Sequence, residues 1–170
     1  HCNAKIENEF IDLGKAPPSN NYVSKDNYHS EEPTFPLKVM VCNHCWLVQT
    51  EDFSEADELF TDEYAYFSST SKSFLEHAKN YVSKVTSFLE LNQNSFVVEL
   101  ASNDGYLLKN FVKLGIPCLG IEPTKSTAKT SRQKGIETIE EFFGTDIAKE
   151  LSETKKANLI IGNNVYAHVP

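Results

Sequence analysis

Two cysteines form the clearest chemical motif of the chain. Cys42 and Cys45 are two residues apart and lie between short apolar runs. A Cys-x-x-Cys turn inside a hairpin presents two thiolates to one zinc ion, which needs four ligands in a tetrahedron. Cys2 is the candidate third ligand. For the fourth place, His1, His44 and a cysteine three positions before Cys2, upstream of the given sequence, all stay open. We predict structural zinc.

Two other interpretations of the thiols stay open, namely a redox pair and inert buried side chains. A redox Cys-x-x-Cys usually opens a helix, whose dipole lowers the thiol pKa, and no helical pattern follows Cys45. Cys118 stands alone in an apolar run and is predicted to be core. No secretory signal opens the sequence, so we expect a reducing, cytoplasmic location.

Acids and amides follow three predicted strands. In a doubly wound sheet the ligand binds at the carboxyl ends of the strands, near the point where the strand order reverses. Glu122 ends the second strand of the series, where an acid accepts hydrogen bonds from a ribose diol. The predicted cofactor-binding residues are Glu99, Ala101, Ser102, Asn103, Asp104, Gly105, Glu122, Pro123, Asn163 and Asn164.

The charge of these residues favours one adenosine ligand over another. A dinucleotide needs a glycine-rich turn with bare backbone amides for its pyrophosphate. This turn has a single clear glycine, Gly105, and carries Asp104, which would repel a diphosphate. A ligand with a sulfonium and an ammonium tolerates Glu99 and Asp104 far better. We therefore predict S-adenosylmethionine, although acids and amides at strand ends are also common as plain solvated loop residues.

The elements that must position these residues change character along the chain. Residues 1–60 hold short strand-like runs at 9–13, 37–42 and 46–50, with little core. Apolar residues at three- and four-residue steps predict a helix over 71–91, with Ser73 and Glu76 as its capping box. Strands at 96–100, 117–121, 136–139 and 157–161 then alternate with helices at 106–114, 124–134 and 145–151. This alternation predicts an α/β fold with a parallel sheet.

Composition limits the partners. The 170 residues carry 16 Lys and Arg against 24 Asp and Glu, a net charge of −8. We therefore expect neither nucleic acid nor an anionic membrane as the main partner. The chain begins at His1 and ends at Pro170, directly after a strand-like run, so we expect a fragment of a longer protein. The oligomeric state cannot be inferred from the sequence.

The order of motifs resembles the zinc-containing C-methyltransferases that modify nucleotide-linked deoxysugars. The resemblance covers essentially the whole chain. It rests on the cysteines and on the segments 10–14, 64–69, 98–105, 120–123 and 164–170. The chain departs from the family pattern in three respects: the first cysteine, the rest of the methyltransferase sheet and the C-terminal domain are absent from the given sequence.

The resemblance implies a class I, Rossmann-like methyltransferase sheet, incomplete here, preceded by a zinc-binding β module. It implies a zinc module over 1–60, a connector and helix over 61–92, and a partial methyltransferase core over 93–170. It also implies carbon methylation of a keto-deoxysugar through an enolate, with a nucleotide sugar as the small-molecule substrate. His168 is then a candidate base or substrate ligand, and Tyr64 and Tyr66 are candidates to cover the site. Methylation of oxygen or nitrogen in another small molecule, and a non-catalytic zinc- or cofactor-binding module, remain alternatives.

Overall fold

The structure is a computed structural model that describes residues 1–51, 53, 60 and 64–165. The chain forms two compact units, a first unit of residues 1–65 and a second unit of residues 66–170. Each is described by itself. Among the described residues, no helix is both long and apolar enough to cross a membrane.

The first unit is an antiparallel sheet of three strands in the order β1-β2-β3. The strands are β1 Asn8–Ala16, β2 Phe35–Val41 and β3 Val48–Thr50, so each of the three strand-like runs is confirmed. Met40 and Cys42 are the apolar side chains buried among the described residues of this unit. Because a core this small gives little hydrophobic stabilisation, the sheet needs another source of stability.

The second unit begins with a short 3-10 turn at Ser68–Thr70, followed by α1 Lys72–Phe88. A parallel sheet and three more helices follow. They are β4 Val97–Leu100, α2 Leu108–Lys113, β5 Cys118–Ile121, α3 Lys125–Gln133, β6 Glu137–Ile139, α4 Thr145–Thr154 and β7 Leu159–Ile161.

The four parallel strands lie in the order β6-β5-β4-β7. The order therefore reverses between β4 and β7, which places the switch point of a Rossmann-like sheet there. Strand β4 is buried on both faces: Val97 packs with α1 and α2, whereas Val98 and Leu100 pack with α4. The predicted α/β class is confirmed, with a parallel Rossmann-like sheet preceded by a β module.

Two helix starts differ from the prediction. Helix α1 is capped by Ser71, whose hydroxyl accepts a hydrogen bond from the Phe74 N–H over 3.3 Å, so the predicted cap at Ser73 is wrong. Helix α2 begins at Leu108 and not at residue 106, because the ring of Tyr106 instead stacks on Phe74 at a centroid distance of 4.9 Å.

Candidate functional site

The first unit brings three thiols together. The Sγ atoms of Cys2, Cys42 and Cys45 all lie within 4.8 Å of one another, and those of Cys2 and Cys42 are 3.6 Å apart. Zinc–sulfur bonds of about 2.3 Å in a tetrahedron separate the sulfurs by roughly 3.8 Å. The three cysteines therefore fit three corners of a zinc site.

The turn between β2 and β3 shapes this cluster. The backbone N–H of Trp46 donates to the Cys42 carbonyl over 3.0 Å, and Trp46 takes a left-handed φ of 63°. The His44 N–H donates to the Cys42 sulfur over 3.3 Å. Backbone N–H groups of Cys45 and His44 lower the pKa of Cys42 to about 7, which favours the thiolate that a metal requires. Neither His1 nor His44 joins the cluster among the described residues.

In the second unit, the loop after β4 has an unusual backbone. Ala101, Asn103 and Gly105 take positive φ angles of 49°, 51° and 72°. A side chain at Gly105 would clash, since a Cβ there would lie 2.3 Å from the Ile136 side chain. Left-handed backbone at Ala101 and Asn103 costs free energy and persists only where surrounding contacts hold it, a situation that is frequent at ligand sites.

Three carboxylates are buried at this loop. Glu99, Asp104 and Glu122 are all at most 4% exposed. Burial raises the pKa of Glu99 well above its usual range, and the charges of Glu122 and Asp104 raise it further. The one ion pair found for these acids among the described residues joins Asp104 to the Lys134 ammonium at 3.1 Å.

Several polar atoms of this region lack a partner. Within the described residues, Oε2 of Glu99, Oδ1 of Asp104 and Oγ of Ser102 are buried and make no hydrogen bond. Buried polar atoms are nearly always satisfied in native proteins, so unsatisfied carboxylate oxygens indicate a missing donor. A cationic donor would satisfy these oxygens and also offset the negative charge of the acids. The site thus fits the ammonium of an amino-acid-like ligand.

Glu122 lies at the end of β5 and is bound on both oxygens. Its Oε2 accepts from the Asn103 N–H over 2.8 Å. Its Oε1 accepts from the Thr124 N–H and from the Thr127 hydroxyl, over 3.1 and 3.0 Å. Because each carboxylate oxygen has two lone pairs, Oε2 keeps one for a ligand hydroxyl. Glu122 therefore fixes the loop geometry and still has capacity to bind a ribose.

Asn103 and Asp104 also hold the start of the unit in place. The Asn103 amide accepts from the Ser68 N–H over 2.8 Å and donates to the Tyr66 carbonyl over 3.0 Å. The Ser69 hydroxyl donates to Asp104. The segment 66–69 therefore lies directly against the loop of buried acids.

At the switch point a cavity of about 220 Å³ opens. Asn163 and Asn164 line one side of it, and Phe74, His77, Ala78 and Tyr81 of α1 line another. Tyr106 also lines the cavity. Burial and the charge of Glu99 raise the pKa of Tyr106 to about 12, although a hydrogen bond with Asn163 lowers it. The phenol is therefore a neutral hydrogen-bonding group.

The structure brings most of the predicted cofactor residues to one edge of the sheet. The loop 101–105 and Glu99 belong to β4 and its end, Glu122 and half-buried Pro123 follow β5, and Asn163 and Asn164 follow β7. Two predicted catalytic residues fall outside the described residues of the second unit. Tyr64 belongs to the first unit, where its ring contacts Phe60, and His168 lies outside the described residues.

Four residues of this region were missed by the sequence analysis: Tyr81, Tyr106, Lys134 and His77. Tyr81 belongs to the apolar stripe of α1, so the sequence predicts a core residue there. No local pattern indicates that it lines a cavity. Lys134 contacts Asp104 from 30 positions away, a pairing that only the fold creates. Cys118, predicted to be core, is half-buried and packs against the core, and burial raises the pKa of its thiol to about 11.

A Rossmann-like parallel sheet with buried acids at its switch point, together with a cysteine cluster on a small β module, defines a zinc-containing protein with a nucleoside-type ligand site. Comparison with known proteins agrees. Residues 1–60 match the family model described as "Putative zinc binding domain". Together with the Cys2, Cys42 and Cys45 cluster, this match confirms the predicted zinc.

The chain is 29% identical to the C-methyltransferase NovU of Streptomyces niveus over 163 residues. The match covers 95% of this chain and 39% of that protein, so the chain spans about two fifths of the length of this relative. A solved structure titled "Crystal structure of MccD protein" aligns with 51% of this chain and 31% of its own, at 21% identity and a TM-score of 0.29. The resemblance to the zinc-containing C-methyltransferases, predicted from the motifs, is confirmed.

Proposed function

We propose that the second unit binds S-adenosylmethionine and that the whole protein is a methyltransferase acting on a small molecule. The observation that carries this proposal is the set of buried acids with unpartnered oxygens, Glu99 Oε2 and Asp104 Oδ1. The single described ion pair of this set, Asp104 with Lys134, leaves an excess of negative charge. A ligand with an ammonium and a sulfonium compensates this charge, whereas a dinucleotide diphosphate adds to it.

Each element of the site then has a role. Glu122 accepts a ribose hydroxyl through the free lone pair of Oε2. Glu99 and Asp104 hold the ammonium, and the loop 101–105 presents its backbone to the ligand. Gly105 lets this loop pack closely against Ile136 and Ser131. Asn163 and Asn164 line the cavity next to this position. S-adenosylmethionine supplies a methyl group bound to a positively charged sulfur, and a nucleophile takes it.

The acceptor that we propose is a carbon beside the ketone of a nucleotide-linked deoxysugar. Such a carbon must lose a proton to a base before it becomes nucleophilic, and the resulting negative oxygen needs a hydrogen-bond donor. By resemblance His168 is the proposed base or substrate ligand. Tyr66 is 47% exposed beside the site, and we propose it as a sugar ligand. By resemblance, Tyr64 is proposed for the same role.

The zinc module has a structural role in this proposal. The module over 1–60 has few core residues, so the metal supplies the stability that the sheet lacks. The thiols must be reduced to bind zinc, which is why we propose a cytoplasmic location. The connector with its helix over 61–92 and the partial core over 93–170 complete the proposed organisation.

The position of the transferred methyl tests the reaction class. The whole protein is incubated with ¹³C-methyl S-adenosylmethionine and a thymidine diphosphate-linked 4-keto-6-deoxyhexose. We expect a product whose labelled methyl shows the ¹³C chemical shift and coupling of a carbon-bound methyl group. A shift typical of an oxygen- or nitrogen-bound methyl would show that the protein is an O- or N-methyltransferase. Cofactor binding without any turnover would support a non-catalytic module.

A further inference from the structure

A second opening adjoins the switch-point cavity. It is a groove of about 460 Å³ lined by Tyr66, Ser68, Thr70, Ser71, Ser73, Phe74 and His77. Phe74 and His77 line the cavity of about 220 Å³ as well. These two side chains therefore separate the proposed cofactor position from the groove. No role has so far been assigned to the groove.

The shared wall is a row of three aromatic rings. Phe74 is stacked on Tyr106 with ring centroids 4.9 Å apart and an angle of 19°. The His77 ring is in turn nearly parallel to that of Phe74, with ring centroids 6.3 Å apart and an angle of 5°. Tyr106 is anchored at the switch point by Asn163. The row therefore leads from the cofactor edge of the sheet outward to His77.

The chemistry of the groove suits a polyhydroxylated ring. Beside aromatic faces it has the hydroxyl groups of Thr70, Ser71 and Ser73. Thr70 donates to the Phe67 carbonyl, and Ser71 and Ser73 are bonded to each other, so each hydroxyl oxygen uses part of its hydrogen-bonding capacity within the protein and keeps a lone pair for a ligand. Sugars bind through hydrogen bonds to such hydroxyls and through contact of their apolar C–H faces with aromatic rings. The imidazole of His77 is exposed and makes no hydrogen bond within the described part of the chain. It can therefore donate to or accept from a ligand oxygen.

Other polar groups near the row are less suited to this contact. Glu99 does not line the groove. Asp104 is bound by Lys134 and Ser69, and Glu122 by three donors. Among the described side chains that line both openings, His77 alone carries polar ring atoms.

We propose that His77 is a sugar-binding residue, which hydrogen-bonds an oxygen of the acceptor's hexose in the groove beside the cofactor. This inference rests on the proposed function, because it takes the acceptor to be a nucleotide sugar. It assigns the groove to the sugar and not to the nucleotide. The His77 ring then holds the acceptor against the row of aromatic rings. The other end of this row, Tyr106, lies at the cofactor-binding edge of the sheet.

The test uses the chain of residues 1–170 saturated with S-adenosylhomocysteine, with thymidine diphosphate glucose and thymidine diphosphate as probes in calorimetric titrations. His77→Phe keeps a ring beside Phe74 and removes both nitrogens, and His77→Gln keeps a donor and an acceptor. His29→Gln, an exposed histidine of the first unit, is the matched control.

We expect His77→Phe to weaken thymidine diphosphate glucose by roughly three- to tenfold, the effect of one hydrogen bond. We expect thymidine diphosphate and S-adenosylhomocysteine to keep their affinities, and His77→Gln to restore part of the loss.

Equal weakening of both probes would assign His77 to the nucleotide, and no weakening would remove it from the acceptor site. A chain that binds S-adenosylhomocysteine but not thymidine diphosphate glucose would also overturn this inference and leave the proposed cofactor site intact. A chain that binds neither contradicts the proposed function itself.

Discussion

The backbone N–H of Asn103 donates to Oε2 of Glu122 over 2.8 Å and so ties the loop after β4 to the end of β5. This bond helps to hold Asn103 in its left-handed conformation, with a φ of 51°. The same carboxylate is the proposed ribose ligand. The side chain that would bind the cofactor thus also shapes the backbone that surrounds it.

A first prediction separates these two roles of Glu122. Glu122→Gln replaces a carboxylate oxygen with an amide that cannot accept the same bonds, so binding and stability should both fall. S-adenosylmethionine affinity should decrease by about 1–3 kcal/mol, the range for hydrogen bonds to a charged group. Thr127→Val is the control, since it removes one donor to Glu122 and leaves the charge in place. The control should lower the melting temperature and preserve affinity; unchanged affinity in Glu122→Gln with an intact fold would take Glu122 out of the site.

A second prediction concerns Glu99 and pH. Burial raises the pKa of Glu99, so between its usual value and this raised value the folded chain binds more protons than the unfolded one. The free energy of unfolding of the free chain should therefore fall as pH rises through this interval. Glu99→Gln should remove that slope and, near pH 8, stabilise the free chain by roughly 1–3 kcal/mol, the cost of an unsatisfied buried group. Denaturant unfolding from pH 5 to 8 measures both effects.

The same side chain predicts the pH dependence of binding. Glu99 must lose its proton to pair with a ligand ammonium, so affinity for S-adenosylmethionine should rise with pH and binding should release protons. Among the described residues, the charged and titratable groups that interact with it are Tyr81, Asp104, Tyr106, Cys118 and Glu122. Calorimetry in buffers of different ionisation enthalpy counts the protons. Binding without proton release, or a Glu99→Gln variant with full affinity, would contradict this role.

A third prediction addresses the metal. The chain should bind zinc through Cys2, Cys42 and Cys45, with sulfur at about 2.3 Å by X-ray absorption spectroscopy. Cys42→Ser should lose most of the zinc and unfold the first unit at lower temperature, because the metal supplies much of its stability. Cys118→Ser alters a thiol of the parallel sheet and should keep the zinc. Metal analysis of untagged protein with less than a tenth of an equivalent of zinc would count against the site.

A fourth prediction separates chemistry from cofactor binding at His168. If His168 acts on the acceptor carbon, His168→Asn should leave the affinity of residues 1–170 for S-adenosylhomocysteine within about twofold, and should lower turnover of the whole protein by roughly 10²–10⁴, the usual share of general acid–base catalysis. A parallel loss of cofactor affinity would make His168 part of the cofactor pocket. Normal turnover would make it structural.

The sequence predicted the elements better than the contacts between them. The helix expected over 71–91 spans Lys72–Phe88, and each predicted strand is present, because apolar periodicity is a local signal. Placement of the acids at one edge followed from the alternation of strands and helices, which fixes a parallel sheet. Other residues of the candidate site, such as Tyr106 and Lys134, do not follow a strand, and packing between distant segments brings them to the site. Their roles required the structure.

The backbone of the loop shows the same limit. Glycine at 105 could be expected from its turn, but nothing in the sequence near Ala101 indicates a left-handed residue. The left-handed conformation of Asn103, two residues later, is held by hydrogen bonds with Glu122 and Ser68, which are far away in the chain. The cap of α1 at Ser71 was missed because a second serine two positions later gave an equally good local pattern.

The central claim is that residues 66–170 form a site for S-adenosylmethionine, and calorimetric titration of the folded chain with this ligand tests it most directly. We predict one binding site per chain, competition by S-adenosylhomocysteine, and no binding of NAD, whose diphosphate meets the buried acids. A zinc-loaded chain with an intact fold that gives no heat with S-adenosylmethionine, and no shift of the amide signals of residues 99–105 by nuclear magnetic resonance, would contradict the account.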